Sequence, residues 1–138
     1  MDIRTFVEAD RERVIELWTL CNLTRPWNDP GKDVDRKLAR DPEGLIVGEI
    51  DGQVVATIMY GYDGHRGFAN YLGVDPVRQG QGLGRAMMEE VETRLLALGC
   101  PKINLQIRSD NLGLLSLYGH LGYTDDDVRS MGKRLIPD

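Results

Sequence analysis

The chain has 138 residues, 41% of them hydrophobic and 28% charged, with a formal net charge of −5. That is the size and composition of one ordinary globular domain, residues 1–138, with room for a sizeable core and none for a second domain. No Lys/Arg-rich run is present to neutralise phosphates, which argues against nucleic acid as a partner, and no apolar run approaches the roughly 18 residues that span a membrane.

The beginning, Met1-Asp2-Ile3-Arg4-Thr5, lacks a signal-peptide layout. Cys21 and Cys100 lie far apart without CxxC spacing, so reduced thiols in a cytoplasmic protein are the expectation. His65 and His120 are the only histidines, and neither has another at ligand spacing; no metal site is expected. An acidic surface is mildly compatible with a cationic or amine substrate, but a solvated acidic face is the commoner explanation.

In chain order, Ile3 to Phe6 alternates as a short strand. From Asp10, a plausible N-cap, Val14, Leu17, Trp18 and Cys21 recur at helical spacing. Asn22 to Gly31 reads as a loop because Pro26, Pro30 and Gly31 interrupt helical pattern. Within it, Trp27 and Asn28 line a substrate pocket, or Trp27 pins the loop to the core. Asp33 to Arg40 is a second, short helix.

Gly44 to Tyr62 is a hairpin around Asp51-Gly52, the dipeptide favoured by a type I′ turn. Tyr62 to Gly67 forms another turn, and Phe68 to Val74 a third antiparallel strand, with Gly73 marking a bulge or close backbone approach. Leu83, Met87, Val91, Leu95 and Leu98 form a helical stripe stopped by Gly99. Lys102 to Ile107 is a strand, Leu112 to Leu121 a last helix ended by Gly122, and Tyr123-Thr124 and Ser130 to Ile136 supply final strands. The order β-α-α-β-β-β-α-β-α-β describes a mixed α/β (α+β) domain whose sheet begins antiparallel.

The most informative stretch is Val74 to Arg85, where Gly80, Gly82 and Gly84 alternate between a strand and a helix. Glycines so spaced let backbone N–H groups converge on an anion, and the helix adds its positive dipole end. A P-loop needs Gly-Lys-Ser/Thr, and Gly84-Arg85-Ala86 lacks it. A dinucleotide fingerprint, G-x-G-x-x-G/A, fails in both registers, ending on Arg85 or Met87.

Gln79-Gly80-Gln81-Gly82-Leu83-Gly84 instead resembles the pyrophosphate loop Gln/Arg-x-x-Gly-x-Gly/Ala of the GNAT superfamily of N-acetyltransferases. Leu72-Gly73-Val74-Asp75-Pro76 is similar to the end of that family's fourth strand. Asn111 to Tyr123 resembles its Asn-x-x-x-x-x-x-Tyr-x-x-x-Gly-Phe/Tyr segment. The resemblance covers essentially the whole chain. Arg25 to Pro30, Gly61 to Gly67 and Gly132 to Ile136 look like a small bacterial group of the YpeA type, which supplies no acceptor.

The resemblance implies a mixed sheet of about six to seven strands with strands four and five splayed apart, and about four helices. It implies acetyl-CoA as cosubstrate and a primary amine, on a small molecule or a peptide, as acceptor, attacked directly in a ternary complex. Backbone N–H groups of Gly80, Gln81, Gly82, Leu83, Gly84 and Arg85, in the loop opened by Gln79, hold the pyrophosphate. The pantetheine arm lies along Leu72, Gly73 and Val74, where a backbone N–H stabilises the oxyanion. Tyr118 is the general acid for the leaving thiolate, and Asn111 bonds the CoA moiety or caps the helix. The glutamate that some relatives use to order a deprotonating water is replaced by Gln106. Asp63, His65, Tyr71, Glu49 and a water relay remain as routes for the proton, His65 being the type that titrates nearest neutrality. Trp27, Asn28, Asp63, His65 and Tyr71 form the expected acceptor site. A non-catalytic acyl-CoA-binding module is the alternative, and a monomer or homodimer is the expected assembly.

Overall fold

The computed structural model describes residues 1–138. Five strands, β1 (Asp2–Thr5), β2 (Leu45–Ile50), β3 (Gln53–Tyr62), β4 (Gly67–Val74) and β5 (Ile103–Leu105), form one sheet in sequence order. Four helices accompany them: α1 (Arg11–Leu20), α2 (Pro30–Arg40), α3 (Leu83–Ala97) and α4 (Leu112–His120). All neighbours pair antiparallel except β4 and β5, which run parallel. None of the helices is long and apolar enough to cross a membrane.

Local chemistry accounts for most boundaries. Asp51 and Gly52 both have positive φ, 50° and 77°, the requirement of a type I′ turn, and they join Ile50 to Gln53 in register. Helix α2 starts earlier than its apolar spacing suggests, because Pro30 occupies the first helical position, where a missing N–H costs nothing. Asp29 caps it by accepting from the Lys32 N–H. Asp10 precedes α1 but does not cap it. Its carboxylate instead accepts from the Val7 N–H at 2.9 Å and from the Arg4 guanidinium at 2.8 and 3.0 Å. Arg4 also binds Glu49, tying β1, β2 and the entrance of α1 together.

The sheet has five strands rather than six to seven. Tyr123-Thr124 and Ser130 to Ile136 form none. Three successive aspartates, residues 125–127, are poor strand formers, and Asp127 has φ 54°. This final segment reaches β5 through side chains: Lys102 and Asn104 donate to Asp126, and Gln106 donates to Ser130.

Alternation sorts the sheet's side chains into two cores. Ile46, Ala56, Ile58 and Tyr60 pack with Met87, Met88, Val91 and Leu95 of α3 and with Tyr118 of α4. Leu45 and Val47 pack on the other face with Val14, Leu17 and Trp18 of α1 and Val34 of α2.

The irregularity that matters most is in β4. Gly73 pairs with Thr57 and Asn70 with Met59, so Tyr71 and Leu72 stand opposite Ile58 alone. This is a β-bulge, and it sits at Tyr71-Leu72 instead of Gly73. Tyr71 has φ 56°, a conformation unusual for a bulky side chain. Two long-range contacts hold it: the ring stacks on Trp18 with centroids 3.9 Å apart, and the hydroxyl donates to Asp33 Oδ2 at 2.6 Å. At Gly73 an added Cβ would meet only ordinary neighbours, the nearest at 3.5 Å.

The bulge reverses the hydrogen-bonding side of the strand. Before it, Gly67 donates toward β5, to the carbonyl that follows Pro101. After it, Asp75 donates to Val55 on β3. By the two-residue alternation of a strand, Leu72 and Val74 therefore turn their N–H groups away from β3. Pairing with β5 stops at Ala69–Leu105, so those groups lie past the end of the β5 ladder.

Replacing Tyr71 with Phe removes the bond to Asp33 but keeps the stack, and should cost about 1.5–3 kcal/mol of stability; Tyr71→Ala should cost more, measured by urea unfolding. Asp10→Asn should lower stability by about 2 kcal/mol near neutral pH. The Arg4 guanidinium holds the Asp10 carboxyl below the usual carboxylate range, so this contribution is full above the unfolded value near pH 3.9 and disappears as pH falls through the lower folded value. Unfolding midpoints of the two proteins should converge in that acidic window.

Candidate active site

Helix α3 begins in a loop built for exposed backbone donors. A one-turn helix, Pro76–Arg78, leads into it, and Asp75 holds that turn by accepting from the Val77 N–H at 3.1 Å. Arg13 of α1 clamps Asp75 at 2.5 Å and also donates to the Val54 carbonyl at 3.0 Å. The Gln79 side chain donates to the Val74 carbonyl at 3.2 Å, closing the loop onto β4.

Gly80 and Gly82 each have φ 80°, and an added Cβ at either would meet nothing within 4 Å. What these positions require is therefore the left-handed backbone conformation, in which glycine carries no penalty. At Gly84 a Cβ would lie 3.3 Å from Leu117 of α4, so this glycine lets α3 approach α4 closely. The first backbone bond within the turn is from Ala86 to the Gly82 carbonyl at 3.1 Å. The N–H groups from Gly80 to Arg85 have no acceptor in the protein. A helix N-terminus with such a run of free donors suits a diphosphate. The Arg85 side chain is engaged with Glu89, leaving its backbone N–H for that purpose.

Tyr118 lies on the α3 side of the sheet, 4% exposed and edge-on to Tyr123. Burial alone pushes its phenol up to about 12, so it is fully protonated at neutral pH. Asn111 caps α4 by accepting from the Leu114 N–H at 3.1 Å, which leaves its amide NH₂ available.

On the other face, a cleft of about 610 Å³ opens between the α1–α2 loop and the final segment of the chain. Trp27, Asn28, Asp33 and Arg36 line one side, and residues 132–136 the other. Trp27 is 60% exposed and so does not pin the loop. Asn28 donates to Asp33 at 3.1 Å, and Asp33 also accepts from Tyr71, linking this cleft to the bulge. Burial and the Asp33 carboxylate push the Tyr71 hydroxyl up to about 12. It is a proton donor and an anchor for the bulge, which excludes it as a base at neutral pH.

Asp63 and His65 are not brought to this cleft. They occupy the β3–β4 turn, at the other end of β4 from the bulge. Asp63 accepts from the backbone N–H groups of His65 and Arg66, both at 2.7 Å, which hold its carboxyl below the usual range. Glu49 is bound to Arg4 at the far side of the sheet. Sequence reading missed Asp33, Arg36 and the 132–136 wall. An acidic and a basic residue on an amphipathic helix read as solvated surface, and only their position beside the bulge marks them.

The model of the acetyltransferase (GNAT) family matches residues 11–123. An acetyltransferase of Sodalis glossinidius is 52% identical over 139 aligned residues, covering 100% of this chain and 98% of that protein. Among solved structures, a chain from Agrobacterium tumefaciens described as an acetyltransferase superposes with a TM-score of 0.79 at 18% identity, covering 97% of this chain and 100% of that one. A Clostridium acetobutylicum acetyltransferase crystallised with acetyl-CoA gives a TM-score of 0.74 at 17% identity, over 95% of each chain. The chain belongs to the GNAT family of acetyltransferases, enzymes that draw acetyl groups from acetyl-CoA.

Proposed function

We propose that this acetyltransferase moves an acetyl group to a primary amine by direct attack in a ternary complex. The observation that carries the reading is the unbroken run of unpartnered N–H groups from Gly80 to Arg85 at the start of α3. Acetyl-CoA, when bound, supplies an activated thioester. Gly80, Gln81, Gly82, Leu83, Gly84 and Arg85 hold its diphosphate through backbone donors, and Leu72, Gly73 and Val74 offer an open strand edge to its pantetheine arm. Leu72 and Val74 aim their free N–H groups into the gap beside β5, where they stabilise negative charge developing on a carbonyl oxygen. The amide of Asn111 adds a donor on the α4 side.

Tyr118 gives its proton to the departing sulfur. A phenol raised by burial is a weaker acid, but the same desolvation raises a thiolate leaving into that site, so the two stay matched. The incoming amine must shed a proton. Gln106 has no basic oxygen, and its side chain is engaged with Ser130. Solvent carries the proton away through the open cleft lined by Trp27, Asn28 and Asp33.

Thermal unfolding tests the donor side: acetyl-CoA should raise the midpoint and NAD should not, and stabilisation by NAD alone would overturn the reading. Tyr118→Phe should lower kcat about 100-fold with the KM for acetyl-CoA little changed, measured by release of the CoA thiol. With solvent as proton acceptor, kcat/KM should rise with pH up to the acceptor amine's own pKa, and Asp63→Asn and His65→Ala should leave that profile in place. A limb titrating near neutrality that vanishes in His65→Ala would assign the base to His65.

A further inference from the structure

The cleft that joins Asp33 to the bulge carries a charge pattern opposed to that of the whole protein. The chain is net −5, yet the cleft wall bears three cations, Arg36, Lys133 and Arg134, against one carboxylate, Asp33. The three cations come from two segments about a hundred residues apart.

This cluster already holds a carboxylate. The Asp138 side chain is only 4% exposed. One of its oxygens lies 2.5 Å from Arg36 and 3.6 Å from Arg134, and the other accepts from the Asp29 N–H at 2.8 Å. The Arg36 guanidinium and the Asp29 N–H hold the carboxyl well down, at about 2. Asp138 sits on a stretch that follows α4 and has no helix or strand, so no hydrogen-bonded ladder is broken when it leaves. Lys133 lines the same cleft and forms no ion pair. With Asp138 in place one cation is unmatched; with Asp138 displaced, two are.

Resting on the reading of this cleft as the acceptor site, we propose that the acceptor is a small primary amine bearing a carboxylate, an amino acid in the broad sense. Lys133, Arg36 and Arg134 bind its carboxylate in competition with Asp138, and Trp27 covers its carbon skeleton. A cleft of about 610 Å³ suits a ligand of that size. Guanidinium groups bind carboxylates with directional, charge-assisted bonds, so an uncharged analogue loses more than contact area.

Release of the CoA thiol is compared for amino acids and their primary amides, such as glycine with glycinamide and 4-aminobutyrate with 4-aminobutanamide. For at least one pair the acid should exceed its amide in kcat/KM about tenfold, the value of one charged hydrogen bond. Lys133→Ala should bring that ratio close to unity while the thermal shift with acetyl-CoA persists. Asp138→Asn should lower the KM for the acid, a gain that a purely structural role for Asp138 would not produce. Equal or better use of every amide would overturn the proposal, as would an unchanged ratio in Lys133→Ala. Titration of Trp27 fluorescence with the same acids, with Trp27→Phe as the blank, reads binding without turnover. Saturable quenching by acids but not amides, with no acetylation of any amine, would keep the carboxylate site and sink the transfer reading. No quenching and no acid preference would sink the site.

Discussion

A single bulge in β4 governs which edge of that strand its backbone groups face. A strand that pairs on both edges exposes no backbone donor, and β4 starts that way, between β3 and β5. The extra residue at Tyr71-Leu72 shifts the alternation by one, so the N–H groups of Leu72 and Val74 leave the β3 ladder. With pairing to β5 ended at Ala69–Leu105, that edge of β4 has no strand partner beyond this point. The bulge is not a property of a flexible residue. A tyrosine is held at positive φ because Trp18 stacks on its ring and Asp33 takes its hydroxyl proton in a hydrogen bond.

This dependence places the two faces of the sheet in different roles. Helices α1 and α2 set the bulge from one side, through Trp18 and Asp33. Helices α3 and α4 bring the glycine loop and Tyr118 from the other. Arg13 connects the two by clamping Asp75, the residue that holds the turn entering the glycine loop. Asp33 also faces the cleft, so the side chain that fixes the bulge is itself part of the wall an acceptor would touch. The bulge and the cleft therefore share one hydrogen bond.

How far the sequence could be read follows from the range of the forces involved. The hairpin at Asp51-Gly52, the stops at Gly99 and Gly122, and the free N–H groups of the glycine loop depend on φ preferences within a few residues, and each was legible. The start of α2 is hidden in the sequence because Pro30 breaks a helix interior but suits its first turn. The final segment forms no strand because its aspartates favour turns, and its contacts with Lys102 and Asn104 run through side chains. Chemical type alone places Asp63 and His65 with Trp27 and Asn28, whereas the length of β4 keeps the turn and the bulge apart.

The sequence by itself determined the fold class, the family and the left-handed turn that opens α3, because alternating glycines and the Asn111–Tyr123 segment encode their backbone geometry locally. Tertiary structure alone decided where β4 bulges and which side chains form the cleft. Tyr71 is held by partners 53 and 38 residues away, and the cleft joins Trp27, Asp33 and Arg36 to Lys133 and Arg134. No local preference carries such information; it arises only when packing brings distant segments onto the same face of the sheet.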